Sequence, residues 1–320
     1  MSRTLKLLLF LLFIIVINDL RKGVEFSYYT TTLLSLTALS VIVLLARNQG
    51  IDRYNRGMQA YRNHQFEPAL SLFIKATKLG GVEAYNVLGV MAVLGEGGHK
   101  DLTKAAYYFK WGAFWRIAEA QENLGHCYAK GHGVALDLSK AVKYLTKAAE
   151  KEEASAQVKL GVLYWNKPGV HEHNREKDYA HAYYWFEKAA YQQDPQGLYW
   201  LSLAYEMGQG VEKDGSKALK AMMQSAEIGG LDALCALGVR YLNGHGVTKN
   251  EETAVAYFQQ ATELGHAEGP WLLALAYRDG TGVAPNKTRA LHWAKCAEDR
   301  GYWQAEALRE ALEQDLKINA

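Results

Sequence analysis

The sequence is poor in cysteine, and the few cysteines it has are placed without pattern. Among its 320 residues are three, Cys127, Cys235 and Cys296, with no CxxC or other metal-type spacing. An odd number of cysteines cannot all pair within one chain. Free cysteines often behave as small hydrophobic residues. The sequence therefore predicts buried thiols and indicates neither a disulfide framework nor a zinc site.

An excess of charge is also missing from most of the chain. The first 50 residues hold five basic and two acidic side chains, which leaves 31 basic and 32 acidic for the rest. A region this neutral lacks the basic surface that nucleic-acid binding requires. No Ser, Cys or His stands in a known nucleophile pattern, so no enzyme is predicted, and neither is a cofactor or a small-molecule substrate. With 49% hydrophobic and 22% charged residues, the chain is nevertheless expected to fold.

Two apolar segments at the N-terminus predict a membrane anchor within residues 1–50. The second, residues 26–46, has 21 residues. At about 1.5 Å per residue, a helix of that length crosses a hydrocarbon core about 30 Å thick. The first, about residues 4–20, has a shorter apolar part, and two interpretations stay open: the first helix of a hairpin, or a signal peptide that no A-x-A-like cleavage site follows.

The basic residues around these segments predict an orientation. More of them flank the hairpin than lie in its loop, where only Arg21 and Lys22 are found. The flanking residues are Arg3, Lys6, Arg47, Arg53 and Arg56. The positive-inside rule then places the rest of the chain in the cytoplasm, at the inner membrane of a bacterium. The alternative is an envelope-side structural or regulatory protein, whose folded part lies outside the cytoplasm.

The strongest signal is an internal repeat of 36 residues, which should be sought before any local motif. A Leu recurs at intervals of 36, 36, 41, 36 and 36, with a small residue four positions before it and, in five copies, a Tyr four positions after it. These Leu residues are Leu88, Leu124, Leu160, Leu201, Leu237 and Leu273. Because positions i, i+4 and i+8 share one helix face, each repeat is predicted to begin with a helix whose small-Leu-Tyr stripe is buried.

A glycine turn and a capping residue follow the stripe. The sequence Gly-x-Gly-Val recurs at 131–134, 208–211, 244–247 and 280–283, which predicts helix ends with left-handed glycines. An Asp or Asn four residues ahead of an Ala is then predicted to be the N-cap of a second helix. These residues are Asp101, Asp137, Asp178, Asp214, Asn250 and Asn286. A phosphate-binding loop would need a strand before its glycines and is not favoured.

The pattern A-x3-L-G-x2-Y-x2-G-x-G-V-x2-D/N-x2-K-A-x6-A-A resembles the Sel-1-like repeat, a relative of the tetratricopeptide repeat. Six copies cover residues 84–302, and the third has five extra residues within 171–179. Residues 51–83 resemble one tetratricopeptide repeat that caps the array, and residues 303–320 are predicted to form a capping helix at its other end. The resemblance implies an all-α fold, a right-handed α-solenoid of helix pairs preceded by one or two transmembrane helices.

The resemblance also implies a function, that of an adaptor whose concave face binds a protein or peptide partner. Positions two, six and nine past the small residue of each first helix are predicted to face this groove. Because aromatic and Arg side chains commonly anchor interfaces, we predict that Trp165, Tyr199, Trp271 and Arg278 contact the partner. The alternative for each of them is packing between repeats.

One dense group of potential metal ligands lies in the inserted segment, at His171, Glu172 and His173. Alternate residues of a highly charged loop are more typical of a solvated insertion than of a metal site. The predicted function is therefore a membrane-anchored protein-interaction scaffold without a bound metal.

Overall fold

A computed structural model describes residues 28–166 and 175–318, and these residues form 15 helices with no strand among them. The helices are α1 Tyr28–Arg62, α2 Phe66–Lys78, α3 Ala84–Leu94, α4 Leu102–Phe114, α5 Ala118–Lys130, α6 Leu138–Ala149, α7 Ala154–Asn166, α8 Arg175–Tyr191, α9 Pro195–Met207, α10 Gly215–Glu227, α11 Leu231–Asn243, α12 Glu251–Glu263, α13 Glu268–Asp279, α14 Lys287–Asp299 and α15 Ala305–Ile318. The predicted all-α repeat fold is confirmed.

The predicted membrane anchor is described only in part. Segment 4–20 lies outside the described residues, and segment 26–46 overlaps α1. This helix continues without a break into the predicted capping repeat and ends at Arg62, so no structural boundary falls near residue 50. Within the described part of the chain, no helix has the length and apolar character of a membrane span.

The chain divides into two compact units, with the boundary between Tyr144 and Leu145 inside α6. In the N-terminal unit, α1 packs against α2 and α3 packs against α4. In the C-terminal unit, the packed pairs are α7 with α8, α9 with α10, α11 with α12 and α13 with α14, and α15 packs on α14. Each unit is therefore built from antiparallel helix pairs of the kind that the repeat predicts.

The small-Leu-Tyr stripe explains why the helices pair. Five of its six Leu side chains are almost completely buried, and only Leu201 is partly exposed. The Gly after the Leu lets an aromatic ring of the second helix approach closely: a Cβ at Gly238 would overlap the ring of Phe258. In the repeat of Leu201, Ser202 takes the place of this Gly, and its hydroxyl donates to the carbonyl of Tyr199 at 2.6 Å.

The glycine turns end the first helices as predicted. Gly131, Gly208, Gly244 and Gly280 are left-handed C-caps with φ between 69° and 73°. The second glycine of each turn also has a positive φ. At Gly133, a Cβ would overlap the carbonyl oxygen of Leu102, so the turn requires glycine for its close approach to the neighbouring helix as well as for its backbone conformation.

Five of the six predicted N-caps are confirmed. The carboxylates of Asp101 and Asp137 accept hydrogen bonds at 2.9 Å from the backbone N–H three residues later, and three further caps do the same, namely Asp214, Asn250 and Asn286.

The prediction for Asp178 is wrong, because α8 begins earlier, at Arg175, and places Asp178 inside its first turn, where it is fully buried. Residues 175–179, predicted as part of the inserted loop, are helical for the same reason. The His171, Glu172 and His173 group lies outside the described residues.

Candidate protein-binding site

Trp165, the first predicted partner contact, lies near the end of α7 among other aromatic rings. Its ring centroid is 5.4 Å from that of Tyr179 and 6.0 Å from those of Phe186 and Trp200. Trp200 stacks on Phe186 at 5.5 Å, and Phe186 is fully buried. These four residues form the inner aromatic cluster, which joins α7, α8 and α9. Trp165 therefore has a packing role, and its contact with a partner stays a prediction.

Tyr199 lies on α9 at a cleft of about 310 Å³ that is open to solvent. Residues of α11 line the opposite wall, and Glu268 lies at the start of α13. Burial, followed by the charges of Asp232 and Glu268, raises the pKa of Tyr199 to about 12. The phenol is therefore protonated at neutral pH and can donate a hydrogen bond to a group that enters the cleft.

Trp271 and Arg278 both lie on α13 but differ in their surroundings. Trp271 is half-buried, its ring centroid is 5.3 Å from that of Tyr302, and it packs on the core to which α10, α11, α12 and α13 contribute. Arg278 is exposed, and its guanidinium donates two hydrogen bonds to its neighbour Asp279 at 2.7 and 2.8 Å. An exposed ion pair of this kind adds little stability, so Arg278 is available to a partner.

The structure brings some of the predicted residues together. Trp165 and Tyr199 both border the ring of Trp200, while Tyr199 and Trp271 pack on the same core. Trp200 itself was not predicted, because it lies three positions past the small residue Gly197, outside the groove-facing positions that the sequence pattern selected. It holds two of the predicted residues in place.

A second aromatic group lies on the surface of the N-terminal unit, along α4 from Tyr107 to the residue that follows the helix. Four side chains there are exposed: Tyr107 by 57%, Trp111 by 40%, Phe114 by 68% and Trp115 by 52%. Neighbouring rings of this group are 5.3 to 6.4 Å apart, and Trp111 also stacks on Tyr85 at 6.2 Å. We name Tyr107, Trp111, Phe114 and Trp115 the aromatic face.

The fold does not require aromatic residues at these positions. Tyr107, Trp111 and Phe114 lie two, six and nine positions past the buried Ala105. The same positions are almost all exposed in the other repeats, where they hold Lys143, Lys147 and Glu150; Tyr184, Lys188 and Tyr191; Lys220, Gln224 and Glu227; Ala256, Gln260 and Glu263; and His292, Cys296 and Asp299. The aromatic face stands out when the second helices are aligned in register, whereas the predicted partner contacts all lie on first helices.

Helix pairs at a 36-residue period, ended by left-handed glycines and opened by Asp or Asn caps, define a helical repeat protein. The chain belongs to the Sel1 repeat family. The model of the Sel1 repeat matches six segments, residues 82–110, 118–152, 154–194, 195–220, 231–266 and 271–302. The predicted family and the number of repeats are confirmed.

Solved structures show the same fold. A Sel1 repeat protein from Oxalobacter formigenes has 30% identity and a TM-score of 0.67, over 77% of this chain and 99% of that one. The immunity protein Pa5087 from Pseudomonas aeruginosa has 19% identity and a TM-score of 0.51, over 71% of this chain and 82% of that one, and this likeness concerns the fold alone. Among curated proteins, none matches the chain significantly.

Proposed function

We propose that this protein is a membrane-anchored adaptor that binds a partner protein through the aromatic face of its first Sel1 repeat. Sel1 repeat proteins are commonly protein-interaction scaffolds. The observation that carries the proposal is the register: only the first repeat has aromatic side chains at all three of the exposed positions held by Tyr107, Trp111 and Phe114. Since packing does not explain them, a binding role does.

The geometry of the aromatic face suits a protein partner. Contiguous apolar surface on a soluble unit marks interaction sites, and Tyr and Trp are enriched in interface cores and among the residues that dominate binding energy. The contacts from Trp111 to Tyr85, Tyr107 and Phe114 already hold its ring in place. A partner therefore meets a preformed surface, and little side-chain entropy is lost on binding.

The anchor is proposed from α1 and the sequence before it. Where its side chains are described, the N-terminal half of α1 exposes Leu36, Leu39, Ile42, Val43 and Leu45. At about 100° per residue these five positions cover roughly half of the helix circumference, which is wider than the apolar stripe of an ordinary surface helix, and so broad an exposed apolar face needs apolar surroundings. We propose that residues 26–46 span the inner membrane of a bacterium, with residues 4–20 as the other half of a hairpin.

The basic residues around the hairpin favour a cytoplasmic location for the repeats. A C-terminal alkaline phosphatase fusion, which is active only outside the cytoplasm, is then expected to be inactive, whereas a fluorescent protein fusion is expected to fluoresce. An active phosphatase fusion would place the repeats on the envelope side and leave the binding proposal untouched.

A register swap tests the binding proposal. The variant Tyr107→Lys, Trp111→Lys, Phe114→Glu replaces three of the four residues of the aromatic face with those found at the same positions in the second repeat, so the fold should persist. Affinity for the partner is expected to fall by about 2 kcal/mol or more, roughly 30-fold. The measurement is quantitative recovery of partners with the full-length chain from detergent-solubilised membranes.

The matched control is Ala256→Lys, Gln260→Lys, which adds two lysines at the corresponding exposed positions of the fifth repeat and should keep the partner. Equal recovery of the same proteins by the register-swap variant and the wild type would refute the proposal. Loss of binding to lipid vesicles alone, with partners retained, would identify the aromatic face as a membrane contact instead.

Tyr199 and Arg278 of the C-terminal unit are a second proposed contact with the partner, since Tyr199 lines an open cleft and Arg278 is exposed. Tyr199→Ala and Arg278→Ala are the informative variants there. If partner recovery falls with these variants as well as with the register swap, the partner spans both surfaces.

A further inference from the structure

Four polar side chains converge beside the cleft of the C-terminal unit. Asp232 and Cys235 lie three residues apart on one face of α11, His266 lies in the turn before α13, and Glu268 is the first residue of α13. The Sγ of Cys235 is 3.2 Å from Nδ1 of His266. A carboxylate oxygen of Glu268 completes a group of three potential ligand atoms that lie within 4.8 Å of one another.

The outer contacts of this group orient His266. Its Nε2 is 3.4 Å from Oδ1 of Asp232, and the amide of Gln196 donates to the other carboxylate oxygen of Asp232. The tautomer of His266 that carries its proton on Nε2 can donate it to Asp232 and leaves the lone pair of Nδ1 directed at Cys235, as in sites where a carboxylate orients a metal-binding His.

Glu268 is held as well. The hydroxyl of Tyr302 lies 3.4 Å from its Oε1, and the ring of Tyr302 packs beside Trp271 at 5.3 Å. Both Cys235 and Glu268 line the cleft, so an ion bound between them would be reached from solvent. Three protein ligands and one position open to water are typical of catalytic zinc sites, whereas structural zinc sites have four protein ligands.

We propose that Cys235, His266 and Glu268 bind a zinc ion, with Asp232 as the positioning residue for His266. A thiolate, an imidazole and a carboxylate form a ligand set that zinc accepts, whereas calcium and magnesium prefer oxygen alone. The proposal does not depend on the partner or on the membrane anchor, because every residue in it belongs to the C-terminal unit.

A nucleophilic cysteine is the rival interpretation of a Cys-His-Asp arrangement, and the electrostatics disfavour it. Cys235 is buried, the carboxylate of Glu268 lies beside its thiol, and Asp232 lines the same cleft. Reactive cysteines instead lie in electropositive surroundings that lower the pKa. A bound divalent cation would make this group of side chains favourable, since a coordinating thiol is deprotonated and the two carboxylates would then lie beside positive charge.

The test uses the full-length chain in detergent, stripped with a chelator and reloaded with zinc or with cobalt(II) as a spectroscopic substitute. We expect one zinc ion per chain after removal of free metal, and a thiolate-to-cobalt charge-transfer band in the near ultraviolet. Cys235→Ser should abolish the band. Asp232→Asn should keep it but weaken zinc affinity by about 10- to 100-fold.

The controls separate this site from the other candidates. Cys127→Ser removes a buried thiol whose pKa is raised by burial alone, and it should keep the band, as should the pair His171→Ala, His173→Ala. If Cys235→Ser does not fold, Glu268→Gln at the half-buried edge of the site serves in its place, with loss of zinc stoichiometry as the readout. Absence of stoichiometric zinc from the wild-type chain, or an unchanged band in Cys235→Ser, would overturn the proposal.

Discussion

The aromatic face and the inner aromatic cluster contain similar side chains in similar ring contacts but lie in opposite environments. Ring centroids are 5.3 to 6.4 Å apart in the first and 5.4 to 6.0 Å apart around Trp165 in the second. Phe114 of the aromatic face is 68% exposed, whereas Phe186 of the inner cluster is fully buried. Contacts between rings therefore do not reveal whether an aromatic group supports the fold or binds a partner.

Comparison of equivalent positions among the repeats distinguishes aromatic residues that the fold needs from those that could bind a partner. Phe186 lies four positions past Ala182, and that position is apolar in every repeat, with Phe109, Leu145, Met222, Phe258 and Ala294. The fold therefore needs an apolar side chain there. Trp111 occupies a position that the other repeats fill with Lys, Gln or Cys. A residue that departs from the pattern of its own repeat is the better candidate for a binding role.

The largest expected effect is the truncation of a buried ring. Phe186→Ala should lower the free energy of unfolding by about 3 to 5 kcal/mol, because it leaves a cavity under Trp165 and Trp200. Phe114→Ala, its match in the aromatic face, should change stability by about 0.5 kcal/mol or less. Urea unfolding followed by circular dichroism measures both. Equal losses would show that Phe114 is part of a packed core and would remove the basis of the proposed function.

A smaller difference in stability is expected when the second glycine of a turn is replaced by Ala in each of the two units. Gly133 and Gly246 have nearly the same φ, 71° and 73°. A Cβ at Gly133 would overlap the Leu102 carbonyl, while the nearest atom at Gly246 is a nitrogen of Arg240 at 3.6 Å. Gly246→Ala should therefore lower the free energy of unfolding by only about 1 to 2 kcal/mol, the cost of the left-handed backbone conformation for a residue with a Cβ.

Gly133→Ala should cost distinctly more, because the backbone of α4 must also shift. Thermal unfolding of the two variants measures whether Gly133→Ala destabilises the protein more than Gly246→Ala. Indistinguishable melting temperatures would mean that the close approach at Gly133 does not contribute to stability, and that the second glycine is required for its conformation alone.

Periodicity was sufficient to predict most of the fold, because the repeat fixes which positions are buried. The Leu stripe, the turn at Gly131 and the cap at Asp101 each follow from local rules that the structure obeys. The N-cap prediction at Asp178 is wrong because α8, which follows the inserted residues, begins at Arg175, before Asp178. The end of the anchor near residue 50 stays a prediction, since one uninterrupted helix, Tyr28–Arg62, contains both the apolar segment and the start of the predicted capping repeat.

The candidate sites were harder to predict, because they depend on contacts between repeats. Cys235 and His266 are 31 residues apart in the sequence and meet only when α11 packs beside the turn before α13, so no short spacing rule reveals them. Trp165 was selected by its position on the first helix, which does not indicate how closely Tyr179 and Trp200 surround it.

The smallest expected effect separates stability from binding on a single helix. Asp101 caps α4 through its 2.9 Å hydrogen bond from the backbone N–H of Lys104, and Asp101→Ala should cost about 1 kcal/mol. The aromatic face begins at Tyr107, beyond the first turn of α4 that loses its cap, so partner recovery should be unchanged. Trp111→Lys should have the opposite effects: the free energy of unfolding should change little, and the partner should no longer be recovered. If Asp101→Ala also releases the partner, binding depends on the stability of the whole first repeat rather than on the aromatic face.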